Sequence, residues 1–205
     1  MRLYTADYAP NPRRVRWIMN EKGIDNVEIV PLDIMQLEHR SHPAVTGSEG
    51  TGLPVLELDD GELIGESLAI GRYLESIQPE PNLLGRDALE VARIEMWTRR
   101  VELMLANPLM IGTRMTFGAM KILEDPNPLV AEYFVTTGQD FLVALDRRLE
   151  GRDFIAADRF TIADICAVVA LDFARIIRFR PDKGLENVAR WLKAMRERPT
   201  VPSSR

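Results

Sequence analysis

The sequence predicts two domains in series, an α/β domain followed by an all-α domain. Two observations predict this. The first 80 or so residues alternate strand-like and helix-like patterns, whereas strand signals nearly vanish beyond Asp87. Between the two regions lies Gln78-Pro79-Glu80-Pro81-Asn82, a proline-rich connector at which the composition changes. The α/β domain is placed at residues 1–78, the connector at 79–86 and the helical domain at 87–205.

Each element has a local reason. Leu3-Tyr4-Thr5 reads as a strand. Pro12 to Lys22 reads as a helix with Val15, Ile18, Met19 and Lys22 along one face. Asn11 suits its N-cap, Pro12 its first position and Gly23 its stop. Val27 to Val30 is a second strand, and a strand–helix–strand order implies a right-handed parallel crossover. Val55–Leu58 and Glu62–Ile64 flank Asp59-Asp60-Gly61, a hairpin signal. Ser67 to Ile77 closes the domain as a helix. Beyond the connector, Ile94, Trp97, Val101, Met104 and Leu105 form one helical stripe, and Phe134, Phe141, Leu142, Leu145 and Leu149 form another. Phe160 to Arg175 is apolar enough for a buried helix, and Val188, Trp191, Leu192 and Met195 mark a last amphipathic one.

Bulk properties narrow the function. At 205 residues, 46% hydrophobic and 28% charged, the chain can bury a core and remain in solution. A net charge of −5 offers no general attraction to nucleic acid or an anionic membrane. The run Arg13, Arg14, Arg16 is open to two readings, a ligand contact or the solvated face of a helix. One cysteine, Cys166, excludes an intrachain disulfide and a Cys-x-x-Cys pair; its apolar neighbours make it a packing residue. With two histidines, His39 and His42, no metal site is expected. No apolar run approaches the roughly 20 residues of a membrane span. The chain starts directly on a strand pattern rather than a signal peptide, so a cytoplasmic location is expected.

The residues from Gly52 to Leu74 carry the chemistry. Pro54 opens an apolar strand, where a missing N–H is tolerated. A cis Leu53–Pro54 bond would turn the Leu53 backbone outward to pair with an extended ligand, against a base frequency of about 5–6% for cis X-Pro bonds. Glu66-Ser67 opens a helix. Ser67 is either its N-cap or a hydroxyl donor to an anion held at the helix N-terminus, with Glu66 facing an ammonium. Together they suit a small peptide paired through its backbone at one end and gripped at its carboxylate at the other. Gly47-Ser48-Glu49-Gly50-Thr51-Gly52 lacks the Gly-Lys-Ser/Thr ending of a nucleotide loop and precedes a strand. Asp59-Asp60 belongs to turn chemistry.

With these residues in view, the chain resembles the cytosolic glutathione transferases, in particular bacterial theta- and nu-like members. The resemblance rests on Leu53-Pro54, on Glu66-Ser67 after the hairpin, on the capping box Thr161-Ile162-Ala163-Asp164 before the buried helix, and on the helix entry Ala9-Pro10-Asn11-Pro12-Arg13-Arg14-Val15-Arg16. It covers essentially the whole chain. It implies a thioredoxin-like N-terminal domain, an all-helical C-terminal domain, glutathione as co-substrate without a metal, a small hydrophobic electrophile as second substrate, and a homodimer. The Leu53 backbone would pair with the cysteinyl unit of glutathione, Glu66 and Ser67 would hold the γ-glutamyl end, and His39 would lie near the glycyl end. A surface loop position is the competing reading for His39.

The chain departs from the family in two places. The loop before Leu53 lacks the usual Asn-Pro. Ala9 stands where bacterial and theta-like members often carry the serine, threonine or cysteine that contacts the sulfur. Three substitutes are conceivable: the amide of Asn11, the N-terminal dipole of its helix, and a hydroxyl from Thr5 or Tyr8. Asn11 together with the dipole is preferred, with pure helix capping as the equal alternative for Asn11; Tyr4 is read as packing. Met104, Met110, Met115, Phe117 and Met120 would give an adaptable electrophile pocket between the domains or ordinary core, with Trp97, Arg100 and Arg114 as further candidates. The expected activity is thiolate attack on an electrophile. The alternatives are a binding or scaffold protein with little catalysis, and a glutathione-dependent peroxidase or isomerase.

Overall fold

The structure, a computed structural model, describes residues 1–50 and 52–202. The chain forms two compact units, Met1–Pro81 with Thr200–Arg205, and Asn82–Pro199. Thr51 of the glycine-rich loop lies outside the described residues.

The first unit holds a four-stranded sheet in the order β2-β1-β3-β4. β1 (Arg2–Thr5) runs parallel to β2 (Glu28–Pro31) and antiparallel to β3 (Val55–Glu57), which pairs antiparallel with β4 (Leu63–Ile64). The parallel β1–β2 pair is joined through helix α1 (Pro10–Lys22), as the strand–helix–strand pattern requires. The hairpin turn is closed by Gly61 N–H donating to Leu58 C=O at 3.0 Å and by the Asp60 carboxylate accepting from Glu62 N–H at 3.1 Å, so turn chemistry accounts for Asp60, while Asp59 pairs with the N-terminal ammonium at 2.5 Å. A single helical turn at Glu38–Arg40 and the short α2 (Pro43–Gly47) follow β2, and α3 (Ser67–Ile77) follows β4.

One helix start and one cap differ from the sequence reading. α1 begins at Pro10, with Ala9 as N-cap, rather than at Pro12 with Asn11 as cap. Pro10 fixes its own φ for the first turn and forces Ala9 into extended backbone (φ −81°, ψ 134°), so the helix nucleates two residues earlier. α3 begins at Ser67, with Glu66 as N-cap, so Ser67 is the first helical residue and not the cap. α1 ends as expected, with Gly23 in the left-handed region and Ile24 N–H returning to Met19 C=O at 3.0 Å. Lys22 is buried because its ammonium donates to the carbonyls of Gln78 and Pro81 and pairs with Glu75 at 2.5 Å.

The second unit is helical throughout its regular elements. α4 (Ala88–Val101), capped by Asp87 accepting from Glu90 N–H at 2.9 Å, runs through a π-helical turn at Glu102–Ala106 into α5 (Asn107–Thr116). The cause is Pro108, which lacks an N–H and clashes with the carbonyl four residues back, at Met104. The wider turn absorbs that clash and shifts the helical phase. Hence Ile94, Val101 and Leu105 of the predicted stripe are buried while Met104 is exposed. α6 (Pro128–Arg148) lies close against α5: a Cβ at Gly138 would sit 2.8 Å from Leu109. α7 (Ile162–Phe173) is buried at every position but Asp172 and ends two residues before the end of its predicted apolar run, and α8 (Glu186–Arg196) buries Val188, Trp191, Leu192 and Met195. Cys166 is fully buried, consistent with packing. Among the described residues no helix is long and apolar enough to cross a membrane.

Candidate functional site

Three starts in the first unit converge on one region: those of α1, β3 and α3. At the start of α1, Pro10 and Pro12 have no N–H, and Arg13 N–H donates to Ala9 C=O at 3.2 Å. Asn11 therefore supplies the one backbone N–H of that turn left without a helical acceptor. Its side chain makes no hydrogen bond among the described residues, and its Oδ1 is buried. Ala9 has only a methyl group, so α1 has no side-chain cap. That methyl packs against a buried cluster containing Tyr4, Ala6, Leu32, Ala44, Val45, Leu53 and Val55. The positions of Ala9 and Leu53 are thus joined through one apolar surface.

At the start of β3, Leu53 and Pro54 are buried and the bond between them is cis. At the start of α3, Glu66 has φ 61°, a left-handed conformation that costs a non-glycine residue about 1–3 kcal/mol. This conformation turns the chain one residue before the helix. Ile70 N–H donates to Glu66 C=O at 3.0 Å, so the N–H groups of Ser67, Leu68 and Ala69 form the unsatisfied first turn. Ser67 is 4% exposed, and its hydroxyl is not used as a cap. Instead Arg14 Nη1 donates to Ser67 Oγ at 3.5 Å. An oxygen that accepts from a guanidinium keeps its own O–H proton to donate elsewhere.

Arg14 is the residue that sequence reasoning left undecided. Arg13 and Arg14 are buried, at 7% and 2% exposure, so they are not the solvated face of α1. The signal was present as a basic run beside a helix start. Its inward direction is not legible in the sequence, because a core stripe of Val15, Ile18, Met19 and Lys22 leaves the face of Arg14 to solvent. Arg16 is half-buried and lies 3.4 Å from Asp7.

His39 is buried in the turn at Glu38–Arg40, so the surface-loop reading is set aside. Its Nδ1 is buried without a hydrogen-bond partner among the described residues, and burial, aided by the charge of Arg40, holds its pKa below the usual histidine value. It makes no hydrogen bond to Asn11, Leu53, Glu66 or Ser67. His42 serves the fold: its Nδ1 accepts from Ala44 N–H at 3.3 Å at the start of α2, and its ring lies 4.8 Å from that of Tyr4. Tyr4 packs inward and donates to Glu57 at 2.6 Å. The two hydroxyl alternatives diverge. Thr5 is buried with an unpartnered Oγ1, whereas Tyr8 is 66% exposed.

In the helical unit the methionine-rich region divides. Met110 clusters with Ala106, Ala170 and Phe173, with half-buried Met120 against them, and Met115 is buried; Met104 and Phe117 are exposed. Arg114 pairs with Glu124 at 3.3 Å, and the guanidinium groups of Arg100 and Arg148 each lie 4.9 Å from the centre of the Trp97 ring.

A β-α-β unit continued by an antiparallel hairpin and a helix, followed by a helical unit, defines the thioredoxin-like plus all-α class. The comparisons with known proteins take this further. Residues 3–82 match the family model "Glutathione S-transferase, N-terminal domain", and residues 119–199 match "Glutathione S-transferase, C-terminal domain". Glutathione S-transferase 2 of Saccharomyces cerevisiae is 30% identical over 212 residues, covering 98% of this chain and 88% of the yeast protein. The crystal structure of a glutathione S-transferase domain-containing protein from Marinobacter aquaeolei superposes with a TM-score of 0.93 at 34% identity, covering 98% of this chain and all of the other. A maleylacetoacetate isomerase of Pseudomonas aeruginosa is 38% identical over 96 residues, 45% of this chain and 44% of its own length. The chain belongs to the glutathione S-transferase family.

Proposed function

We propose that this protein is a glutathione transferase that holds glutathione on its first unit and promotes attack of the thiolate on a small hydrophobic electrophile. The observation that carries this reading is the buried Arg14–Ser67 contact at 3.5 Å, made where α3 presents its unsatisfied first-turn N–H groups. A carboxylate there meets donors of three kinds: the Ser67 hydroxyl, the backbone N–H groups and the positive end of the helix dipole. Burial strengthens each of them by excluding water. The γ-glutamyl carboxylate is the group assigned to this position, with the Glu66 carboxylate facing the adjoining ammonium. The Leu53 backbone pairs with the cysteinyl unit, Pro54 sets the strand start, and His39 lies toward the glycyl end.

The sulfur then falls to the start of α1. Catalysis of this kind consists of lowering the thiol pKa and placing the thiolate beside its target. With a methyl at Ala9, the groups available to the thiolate are the Asn11 backbone N–H, the Asn11 amide and the dipole of α1, with the unpartnered Thr5 hydroxyl as the remaining alternative. Asn11 takes the part that a serine or cysteine plays in many family members. The protein is further proposed to act as a cytoplasmic homodimer without a metal, binding neither nucleic acid nor membrane.

Calorimetric titration of Ser67→Ala with glutathione tests the site. Loss of one charge-assisted hydrogen bond predicts binding weaker by about tenfold or more; unchanged affinity would remove the assignment. Ala9 favours a second reading, a glutathione-fold binding protein with little catalysis. Bound glutathione that never forms thiolate, with no turnover across a panel of electrophiles, would establish that alternative. Peroxide reduction and isomerisation use the same glutathione site, and the same panel separates them.

A further inference from the structure

The helical unit carries a concave surface that the glutathione reading does not use. A cavity of about 720 Å³ lies between the start of α4, the end of α6 and the segment 156–158. Four arginines line it: Arg86, Arg93, Arg148 and Arg152. Three carboxylates line it too, and two are committed. Glu90 pairs with Arg159 and accepts from Arg86 N–H at 2.8 Å, and Asp87 caps α4. Asp158 remains as the one exposed, uncommitted acid among the lining residues.

Arg93 and Arg152 are not neutralised in return. Among the described residues, neither the Arg93 nor the Arg152 guanidinium is within ion-pair distance of a carboxylate. Arg148 is fixed in place: its Nε donates to Ile155 C=O at 2.8 Å, its Nη2 to Ala156 C=O at 3.4 Å, and its guanidinium lies over the Trp97 ring. Burial, together with the charges of Arg152, Arg100 and Arg93, presses its pKa downward. A cluster of like charges that repel one another around a preformed hollow is costly until an anion fills it. The guanidinium fork matches phosphate oxygens two at a time, and Leu89, Ala156 and Ala157 give the same hollow a small apolar edge.

We propose that this arginine-lined cavity of the helical unit binds a small polyanion of the phosphate class, one carrying two or more phosphoryl groups, at a site separate from the glutathione-binding residues. The ligand would span Arg93 on α4 and Arg152 beyond α6, with Arg148 as the fixed base between them.

Inorganic pyrophosphate is the probe, with citrate as the carboxylate comparison and potassium chloride at matched ionic strength as the screening control. Calorimetric titration of the full chain should give saturable pyrophosphate binding that potassium chloride does not reproduce. Arg93→Gln/Arg152→Gln should weaken it by about tenfold or more, leaving glutathione affinity unchanged. Both side chains are exposed, so the double variant should fold; a circular dichroism melt confirms this, and Arg152→Gln alone, with a smaller loss, serves in its place if it does not. Three outcomes would overturn the proposal: no saturable binding, equal binding by the double variant, or citrate binding more tightly than pyrophosphate. Disruption of a dimer by the double variant without any pyrophosphate binding would also overturn it, assigning the arginines to a protein contact.

Discussion

The cap of α7 and the starts of α1 and α3 are built on opposite plans. At α7 one buried carboxylate satisfies everything around it. Asp164 accepts from Thr161 N–H at 3.0 Å, the Thr161 hydroxyl at 3.1 Å, Ile155 N–H at 3.0 Å and Trp191 Nε1 at 2.9 Å. Its pKa is nonetheless raised, because complete burial outweighs the four donors. At α1 and α3 neither start has a side-chain cap, Glu66 holds an unfavourable φ, and Asn11 leaves buried polar capacity unused. One start commits its donors to the fold, and the other two leave theirs open. A satisfied helix start stabilises the fold, whereas an unsatisfied one can bind.

Breaking the satisfied cap should have the largest effect. Asp164→Ala strands three buried N–H donors, those of Thr161, Ile155 and the Trp191 indole. A loss of about 3–5 kcal/mol is expected from denaturant unfolding. A loss below about 1 kcal/mol would show that the network is dispensable and the comparison misdrawn.

A smaller effect tests the opposite region. Ala9→Ser gives α1 the cap it lacks and places a hydroxyl where many family members have one. Stability should rise by about 1 kcal/mol, seen as a shift in the denaturant midpoint, with faster conjugation of a model electrophile. Added stability without added rate would mean that the start of α1 is structural only.

The smallest effect concerns His39. Its folded pKa is depressed, so the unfolded chain binds the proton more readily. Its contribution to stability is present above the usual histidine value of about 6.5 and is lost as pH falls through the depressed folded value. His39→Gln should flatten the fall in melting temperature below pH 6.5; an identical pH profile would show that His39 does not titrate in this window.

The sequence resolved the periodic features and missed those set by single residues. The strand segments at β1 and β3, the Asp59-Asp60-Gly61 turn and the Thr161–Asp164 capping box all rest on local signals, over two to four residues, and the structure contains each of them. The start of α1 and the cap of α3 differ from the sequence reading because competing signals sit side by side. Pro10 and Pro12 both suit a first position, and only chain geometry selects Pro10. Ser67 reads as a cap unless Glu66 turns left-handed first, which no propensity announces. The stripe through Met104 does not carry the phase shift that Pro108 imposes, so Met104 is exposed. The candidate site was legible as motifs at Leu53-Pro54 and Glu66-Ser67. The inward turn of Arg14 needed the packing of α1 against α3.

The central claim is that the uncapped start of α1, with Asn11, holds the thiolate. Ultraviolet absorbance of bound glutathione across a pH titration measures it directly, in wild type and Asn11→Ala. If Asn11 and the α1 dipole hold the thiolate, the bound thiol titrates below the free value of about 8.5 in wild type and returns toward that value in the variant. A wild-type thiol that titrates at the free value, or a variant with the same depressed pKa as wild type, would contradict it.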